Sequence, residues 1–175
     1  MKKIIETERL YFRELAESDD VGMFSLDSDP EVHEFLGKKP IQSIEEAREV
    51  IRFIRQQYTD NGIARWAIVE KESNSFIGWG AFKFVKEPTN GHVDFYDLGY
   101  RFIKSAWGKG YATESSKAAI AYAFEELKLT VIYAYADHRN LGSQSVLKKC
   151  GFIEKGIFDD EGDPHLWFEL RNPKL

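Results

Sequence analysis

Two glycines one residue apart, Gly108 and Gly110, stand in the segment KSAWGKGYATES, Lys104 to Ser115, between a strand-like run and a helix-like run. The chemistry open to such a turn is anion binding. The first turn of a helix carries unpaired N–H groups and a partial positive end, and glycine lets the backbone approach a phosphate without a Cβ in the way. Taken alone, the glycines favour a tight strand-to-helix turn that holds nothing, and the phosphate reading needs corroboration from the rest of the chain. Two nucleotide-binding patterns are excluded. A P-loop would need Gly at position 103 and Ser or Thr at position 110, where Ile103 and Gly110 stand. A Rossmann fingerprint would want a small third residue where Thr113 stands, in an early βαβ unit. Further along, Asn140 both donates and accepts hydrogen bonds, which suits an amide-bearing ligand or a turn after TVIYAYAD. Ser143 can cap the short helix that follows, and Glu114 complements the dipole of the helix after the glycine loop. Cys150 reads as a packing residue. His33, His92, His138 and His165 are scattered without metal-ligand spacing, so no metal site is expected. His138 and His165 are either acceptor-site groups or surface residues.

The elements that must position these residues are legible from periodicity. TERLYFREL alternates as a strand does, and AESDDVGMFSL suggests a short helix. Ser43 with Glu46 forms a capping box, and Ile44, Ala47, Ile51, Ile54 and Tyr58 recur at helical spacing, which predicts a helix from about Ile44 to Tyr58. RWAIVE, FIGWGAFKFV and VDFYDLGYRFI predict an antiparallel meander, the last strand running into the glycine loop. The helix after the loop presents Ala112, Ser116, Ala119, Ile120, Ala123, Phe124 and Leu127 on one face. TVIYAYAD reads as a buried strand. A short helix over Ser143 to Cys150 ends at Gly151, and FIEKGIF and HLWFEL flank the turn DDEGDP. The result is a mixed α/β sheet with flanking helices.

The chain has 175 residues, 43% of them hydrophobic and 30% charged, with a net charge of -5. That is one ordinary globular domain, expected over residues 1–175, with no repeat or linker to divide it. The acidic balance argues against nucleic acid as a partner, which needs dense Lys and Arg, and suits basic or amine-bearing partners. No apolar run approaches the length of a membrane span and MKKIIETERL has no apolar signal core, so a cytoplasmic protein without a membrane partner is expected.

Four stretches in order carry a resemblance. WGKGYATES (Trp107 to Ser115) resembles the acetyl-CoA pyrophosphate loop of the GCN5-related N-acetyltransferase (GNAT) superfamily, and its tryptophan is typical of the branch that acetylates ribosomal-protein N termini. DLGY (Asp97 to Tyr100) is similar to the Glu-Ile-Gly-Tyr stretch of that family's fourth strand. NLGSQSVLKKCGF (Asn140 to Phe152) resembles its Asn-x-x-Ser helix, and TERLYFREL and DPEVHEFLG resemble its N-terminal elements. The resemblance implies a mostly antiparallel sheet whose fourth and fifth strands splay apart at a bulge. Pantetheine would lie in the gap and pair with strand backbone as an added strand does.

By position, the main chain of Arg101, Phe102 and Ile103 is then expected to face pantetheine, and Trp107, Gly108, Lys109, Gly110, Tyr111, Ala112 and Thr113 to hold the pyrophosphate of acetyl-CoA. Asn140 is implied in ligand contact, and Ser143 offers a hydroxyl near the thioester sulfur. Leu147 occupies the place where many relatives carry a tyrosine, the general acid. Asp97 takes the place of the family's catalytic glutamate and is the candidate general base, directly or through water; a surface carboxylate is the alternative. N–H groups at the bulge, Leu98 to Tyr100, are candidates to stabilise the oxyanion. With reference pKa values of about 7.7 to 8.0 for α-amines and about 10.4 for lysine, roughly a tenth of an α-amine is free at neutral pH, so it needs little help from a base.

The resemblance thus implies transfer of acetyl from acetyl-CoA to a primary amine, at a protein N terminus or on a small molecule, by direct attack on the thioester. A non-catalytic acyl-CoA sensor or interaction module is the alternative, and a nucleotide enzyme that binds phosphate is a third. A homodimer through sheet edges or the C-terminal strands is possible for such a fold.

Overall fold

A computed structural model describes residues 2–37 and 39–174. Its strands are β1 (Ile5–Glu6), β2 (Leu10–Arg13), β3 (Trp66–Glu70), β4 (Ser75–Val85), β5 (Phe95–Phe102), β6 (Val131–Asp137), β7 (Ile153–Asp160) and β8 (Asp163–Arg171). The helices are α1 (Asp20–Asp27), α2 (Ile44–Asn61), α3 (Tyr111–Glu125) and α4 (Leu141–Lys149). The strands form one eight-stranded sheet in the order β1-β2-β3-β4-β5-β6-β8-β7. Every neighbouring pair is antiparallel except β5 and β6, which are parallel and paired at the single position Asp97↔Tyr133. The family's fourth and fifth strands are β5 and β6 here, because the two-residue β1 adds one to the count.

α2 forms as its cap and periodicity predict. Ser43 Oγ accepts the Glu46 N–H at 3.2 Å, Ala47, Ile51 and Ile54 are buried, and Gly62, with φ of 72°, closes the helix in the left-handed region. It runs to Asn61, past the expected end, because Tyr58 is anchored: its hydroxyl donates to Arg65 O at 2.5 Å and accepts the Leu15 N–H at 3.2 Å. Two cores result. Leu15, Met23, Leu26 and Ile51 fill the layer between the sheet and α1 and α2. Leu10, Phe12, Phe82, Ile132 and Phe168 fill the layer on the face that carries α3 and α4. The predicted turn DDEGDP is tighter than expected. Asp160 pairs with Asp163, so only Glu161 and Gly162, both at positive φ (54° and 95°), make the hairpin, as twisted strands prefer.

The expected bulge in β5 is not there. The pairing of β4 with β5 runs unbroken from Phe95 to Phe102, and the distortion sits across the ladder at Ala81, whose φ is 79°. A non-glycine residue in that region costs about 1 kcal/mol or more. Arg65, just before β3, offsets the cost: one guanidinium nitrogen donates to Ala81 O and, at 2.7 Å, to Asp97 O, while the other donates to Asp97 Oδ2 at 2.5 Å. Gly99 makes this possible, since a Cβ there would stand 2.6 Å from the Arg65 guanidinium. The Arg65–Asp97 pair lies at the level of the one β5–β6 ladder pairing, where the strands part.

At the C-terminal end of β6, Asp137 Oδ1 accepts the Arg139 N–H at 2.8 Å and its carboxylate takes the Arg139 guanidinium at 2.9 and 2.6 Å, shaping the turn into α4. Hydrogen bonding to Arg139 pulls the Asp137 carboxyl down to about 2.

Two stability tests follow from these contacts. Arg65→Met leaves the buried Asp97 without a counter-charge and is expected to lower unfolding free energy at pH 7 by about 3 kcal/mol; the loss shrinks at lower pH, where Asp97 takes up a proton, and denaturant unfolding at two pH values measures it. The depressed Asp137 pKa contributes stability that is present above about pH 4 and lost as pH falls toward 2. Arg139→Ala is therefore expected to lower the melting temperature at pH 7 and to leave it unchanged near pH 2, as read by thermal melts at the two pH values.

Candidate active site

The Ile103 N–H donates to Ile77 O at 3.0 Å, and the Arg101 carbonyl points at Gly78, so both belong to the ladder with β4. The alternation of an antiparallel strand then turns the N–H and C=O of Leu98, Tyr100 and Phe102 toward β6. The expectation for residues 101–103 is corrected accordingly: Phe102 faces the gap, whereas the main chain of Arg101 and Ile103 does not. The Phe102 carbonyl is already engaged, accepting the Trp107 indole N–H at 2.9 Å. Trp107 thus replaces a polar loop residue by bracing the loop against β5. The Arg101 side chain leaves in the other direction, to Asp27 Oδ1 at 2.6 Å.

Beyond β5 the loop delivers its glycines in the left-handed region, Gly108 at 71° and Gly110 at 80°, and Gly110 is the N-cap of α3. The first helical bond is from the Glu114 N–H to Gly110 O. Among the described residues, the N–H groups of Gly108, Lys109, Gly110, Tyr111, Ala112 and Thr113 have no acceptor. Six successive free donors at a helix N-terminus make a pocket for a multiply charged anion. Around Gly108 a built Cβ would meet nothing within 4 Å, so the cradle is open. The Lys109 side chain is exposed. The Tyr111 side chain is buried and bonded to Glu70, which leaves only its main chain to the site.

Glu114 does more than complement the dipole. It accepts the Thr7 hydroxyl at 2.6 Å, the Arg9 N–H at 3.0 Å and the Arg9 Nε at 2.7 Å. Arg9 also donates to Lys109 O at 2.8 Å and lies 4.5 Å over the Tyr111 ring. A guanidinium from the N-terminal hairpin therefore braces the loop and adds positive charge beside it. Sequence reasoning missed this residue, since nothing in TERL marks it as a neighbour of position 109.

At the α4 side, Asn140 is the N-cap: its Oδ1 accepts the Ser143 N–H at 3.0 Å. The helix therefore begins at Leu141, and Ser143 does not cap it. The Ser143 hydroxyl is free to receive the Tyr100 hydroxyl at 3.4 Å, a contact between α4 and β5 across the diverging strands. Burial pushes the Tyr100 phenol up to about 12. Leu147 is buried and packs in the core instead of facing the gap.

Asp97 is not a surface carboxylate; only 7% of the residue is exposed. Burial raises its carboxyl above the usual range, with the Arg65 guanidinium opposing. Oδ2 is held by Arg65, and no such partner occupies Oδ1 among the described residues. His138 Nδ1 and His165 Nδ1 lie 3.1 and 3.0 Å from the carbonyls of Pro164 and Asp163, so both rings are tied to backbone. The structure thus brings together a donor-lined cradle, a strand edge with free N–H groups, a Tyr–Ser hydroxyl pair across the gap and a buried carboxylate where the gap begins. Such a set can seat an anionic, amide-bearing acyl carrier and take a proton from a nucleophile.

Comparison with known proteins agrees with this geometry. Residues 9–153 match the family model for the acetyltransferase (GNAT) domain. The N-acetyltransferase p20 of Bacillus licheniformis is 31% identical over 155 residues, 88% of this chain and 84% of the relative. A solved structure of RimL, a ribosomal L7/L12 α-N-protein acetyltransferase in complex with coenzyme A, superposes with a TM-score of 0.81 at 18% identity, over 97% of this chain and 98% of that one. Spermidine N-acetyltransferase from Vibrio cholerae, in complex with CoA and spermine, superposes with a TM-score of 0.74 at 18% identity, over 94% and 96%. With a family model spanning most of its length and a curated N-acetyltransferase 31% identical over 88% of it, this chain belongs to the GNAT acetyltransferase family and is an N-acetyltransferase that uses acetyl-CoA.

Proposed function

We propose that the acceptor is an α-amine, as in the ribosomal-protein N-terminal acetyltransferase branch, and that acetyl-CoA lies with its pyrophosphate on residues 108–113 and its pantetheine along β5. The observation that carries the reading is the continuity of the gap between β5 and β6 with the six unpaired N–H groups beyond it. Phosphate oxygens would satisfy those donors. The Leu98 N–H is taken by the bridge to β6, so the strand N–H group of Tyr100 would pair with an amide carbonyl or with the oxygen that gains charge in transfer.

In the reaction the amine nitrogen bonds to the acetyl carbon, the carbon–sulfur bond breaks, the amine gives up a proton and the thiolate gains one. Asp97 takes the amine proton through Oδ1. Its raised pKa makes it a stronger base than an ordinary carboxylate, and Arg65 keeps it pointed at the gap. Ser143 and Tyr100 hold the sulfur by hydrogen bonding. A phenol at about 12 is too weak an acid to protonate a thiolate whose conjugate thiol titrates near 8.5, a deficit of about 5 kcal/mol. The thiolate proton therefore comes from solvent. With α-amines already partly free at neutral pH, this modest machinery suffices, whereas a lysine acceptor would demand a stronger base.

The reading is tested by thiol release from acetyl-CoA with N-terminal peptides and small amines. Tight CoA binding with no release for any amine would return the chain to the non-catalytic acyl-CoA binder. Gly108→Val places a side chain in the cradle at a left-handed position and is expected to weaken acetyl-CoA binding by at least about tenfold; calorimetric titration checks it. Asp97→Asn preserves an oxygen for Arg65 and removes the base. We expect kcat to fall about 100-fold. The pH–rate profile is expected to lose the acid-side limb of a carboxyl that titrates above its ordinary value and to keep only the limb of the amine. A profile that does not change would reject Asp97 as base.

A further inference from the structure

On the sheet face that packs under α1 and α2, a row of side chains runs away from Asp97. Arg65 lies over the Trp79 ring at 5.7 Å and Arg101 lies over it at 4.8 Å. Arg101 continues to Asp27 Oδ1 at 2.6 Å, and His33 Nε2 stands 3.7 Å from the same oxygen. The charges cancel: Asp97 answers Arg65 and Asp27 answers Arg101. Burial, with help from Arg101, holds the His33 imidazole below its usual pKa and so neutral.

The hydrogen bonds do not balance. The Trp79 Nε1, the Arg101 Nε and both ring nitrogens of His33 are shut away from solvent with no partner among the described residues. His33 itself is 6% exposed. Indole and guanidinium nitrogens only donate, and a neutral imidazole carries one further N–H. Buried donors left unmet are costly and uncommon, and here they fall next to one another in a single row. The row lacks an oxygen acceptor.

Its distance from the reaction centre selects the acceptor's chemistry. Arg101 and Trp79 are paired across β4 and β5, four residues along the strand from Asp97, but the Arg65 guanidinium that donates to Asp97 Oδ2 at 2.5 Å also lies 5.7 Å from the Trp79 ring. The carboxylate and the ring are thus within about 10 Å, and an extended peptide, at about 3.3 Å per residue, places the carbonyl of its second or third residue about that far from its N-terminal nitrogen. We propose that Trp79, Arg101 and His33 form a subsite for a main-chain carbonyl of a peptide acceptor whose α-amine lies at Asp97. A polyamine brings only cationic donors to this row and meets two guanidiniums. The subsite deepens the transfer reading above and rests on it: it assigns the acceptor as a peptide N terminus over a polyamine.

The test is steady-state acetylation of a short N-terminal peptide amide, of butylamine and of spermidine, by wild type and by Trp79→Phe. That substitution keeps the ring under Arg101 and deletes one N–H. The expected result is a wild-type preference for the peptide and, in the variant, a peptide KM raised about fivefold with the acetyl-CoA KM unmoved. His33→Phe, at the other end of the row, carries the same expectation should Trp79→Phe melt early. A peptide KM within about twofold of wild type in these variants, or wild-type use of butylamine or spermidine as efficient as that of the peptide, overturns the subsite. If no amine is acetylated, the transfer reading fails instead. Calorimetric binding of the same peptide to the protein–CoA complex then decides the subsite, by the same fivefold loss or its absence in Trp79→Phe.

Discussion

A single guanidinium sets the geometry on which the site depends. Arg65 enters from the edge of β3, satisfies the carbonyl of a left-handed Ala81 in β4 and binds both the main chain and the side chain of Asp97 in β5. Three adjacent strands are tied at the level where β6 departs. Parallel strands that part expose main-chain groups, and those groups need a fixed strand behind them to be useful as a binding edge. The cost of burying two charges is met because each is hydrogen bonded to its counterpart and the arginine also serves two carbonyls. Gly99 is the complement of this arrangement: any side chain there would displace the guanidinium.

The anion cradle is held by a second arginine acting at a distance in sequence. Arg9 and Glu114 join the N-terminal hairpin to the first turn of α3, and Arg9 also fixes the Lys109 carbonyl. With that carbonyl and the Trp107 indole both engaged, the loop's N–H groups are left pointing outward in a fixed array. Preorganised main-chain donors lose little entropy on binding an anion, so a cradle of this kind needs no large basic cluster around it. Electrostatics here is local: a protein with net charge -5 presents a positive helix end and one supporting guanidinium at the cradle.

The acceptor side follows a different logic. Its charges are paired off within the fold, Asp97 with Arg65 and Asp27 with Arg101, so net charge does not choose the ligand there. Unmatched hydrogen-bond donors remain as the discriminating feature. A site built to meet an oxygen rejects analogues that lack one far more sharply than an apolar wall or a diffuse acidic field can.

Elements and loop were readable in the chain because their causes are local. The capping serine of α2, the helical spacing of α3 and the glycines at 108 and 110 act within a few residues of themselves. Family resemblance rested on the same local motifs. Boundaries shifted by a few residues: locally, where Asn140 took the cap expected of Ser143, and through a contact 43 positions away, where Tyr58 bonded to Leu15 in a longer α2. The bulge was misplaced because strand irregularity depends on the neighbouring strand, and Ala81 looks ordinary until Arg65 is seen beside it. Site chemistry was decided by pairs far apart along the chain: Arg65 with Asp97 across 32 positions, Tyr100 with Ser143 across 43, Arg101 with Asp27 across 74 and Arg9 with Glu114 across 105. Sequence determined which backbone shapes could form, since those follow from φ preference, capping and hydrophobic period. Only the tertiary structure decided which charge meets which, which strand groups face the gap and which buried donors go unmet, because those depend on distances that no local pattern encodes.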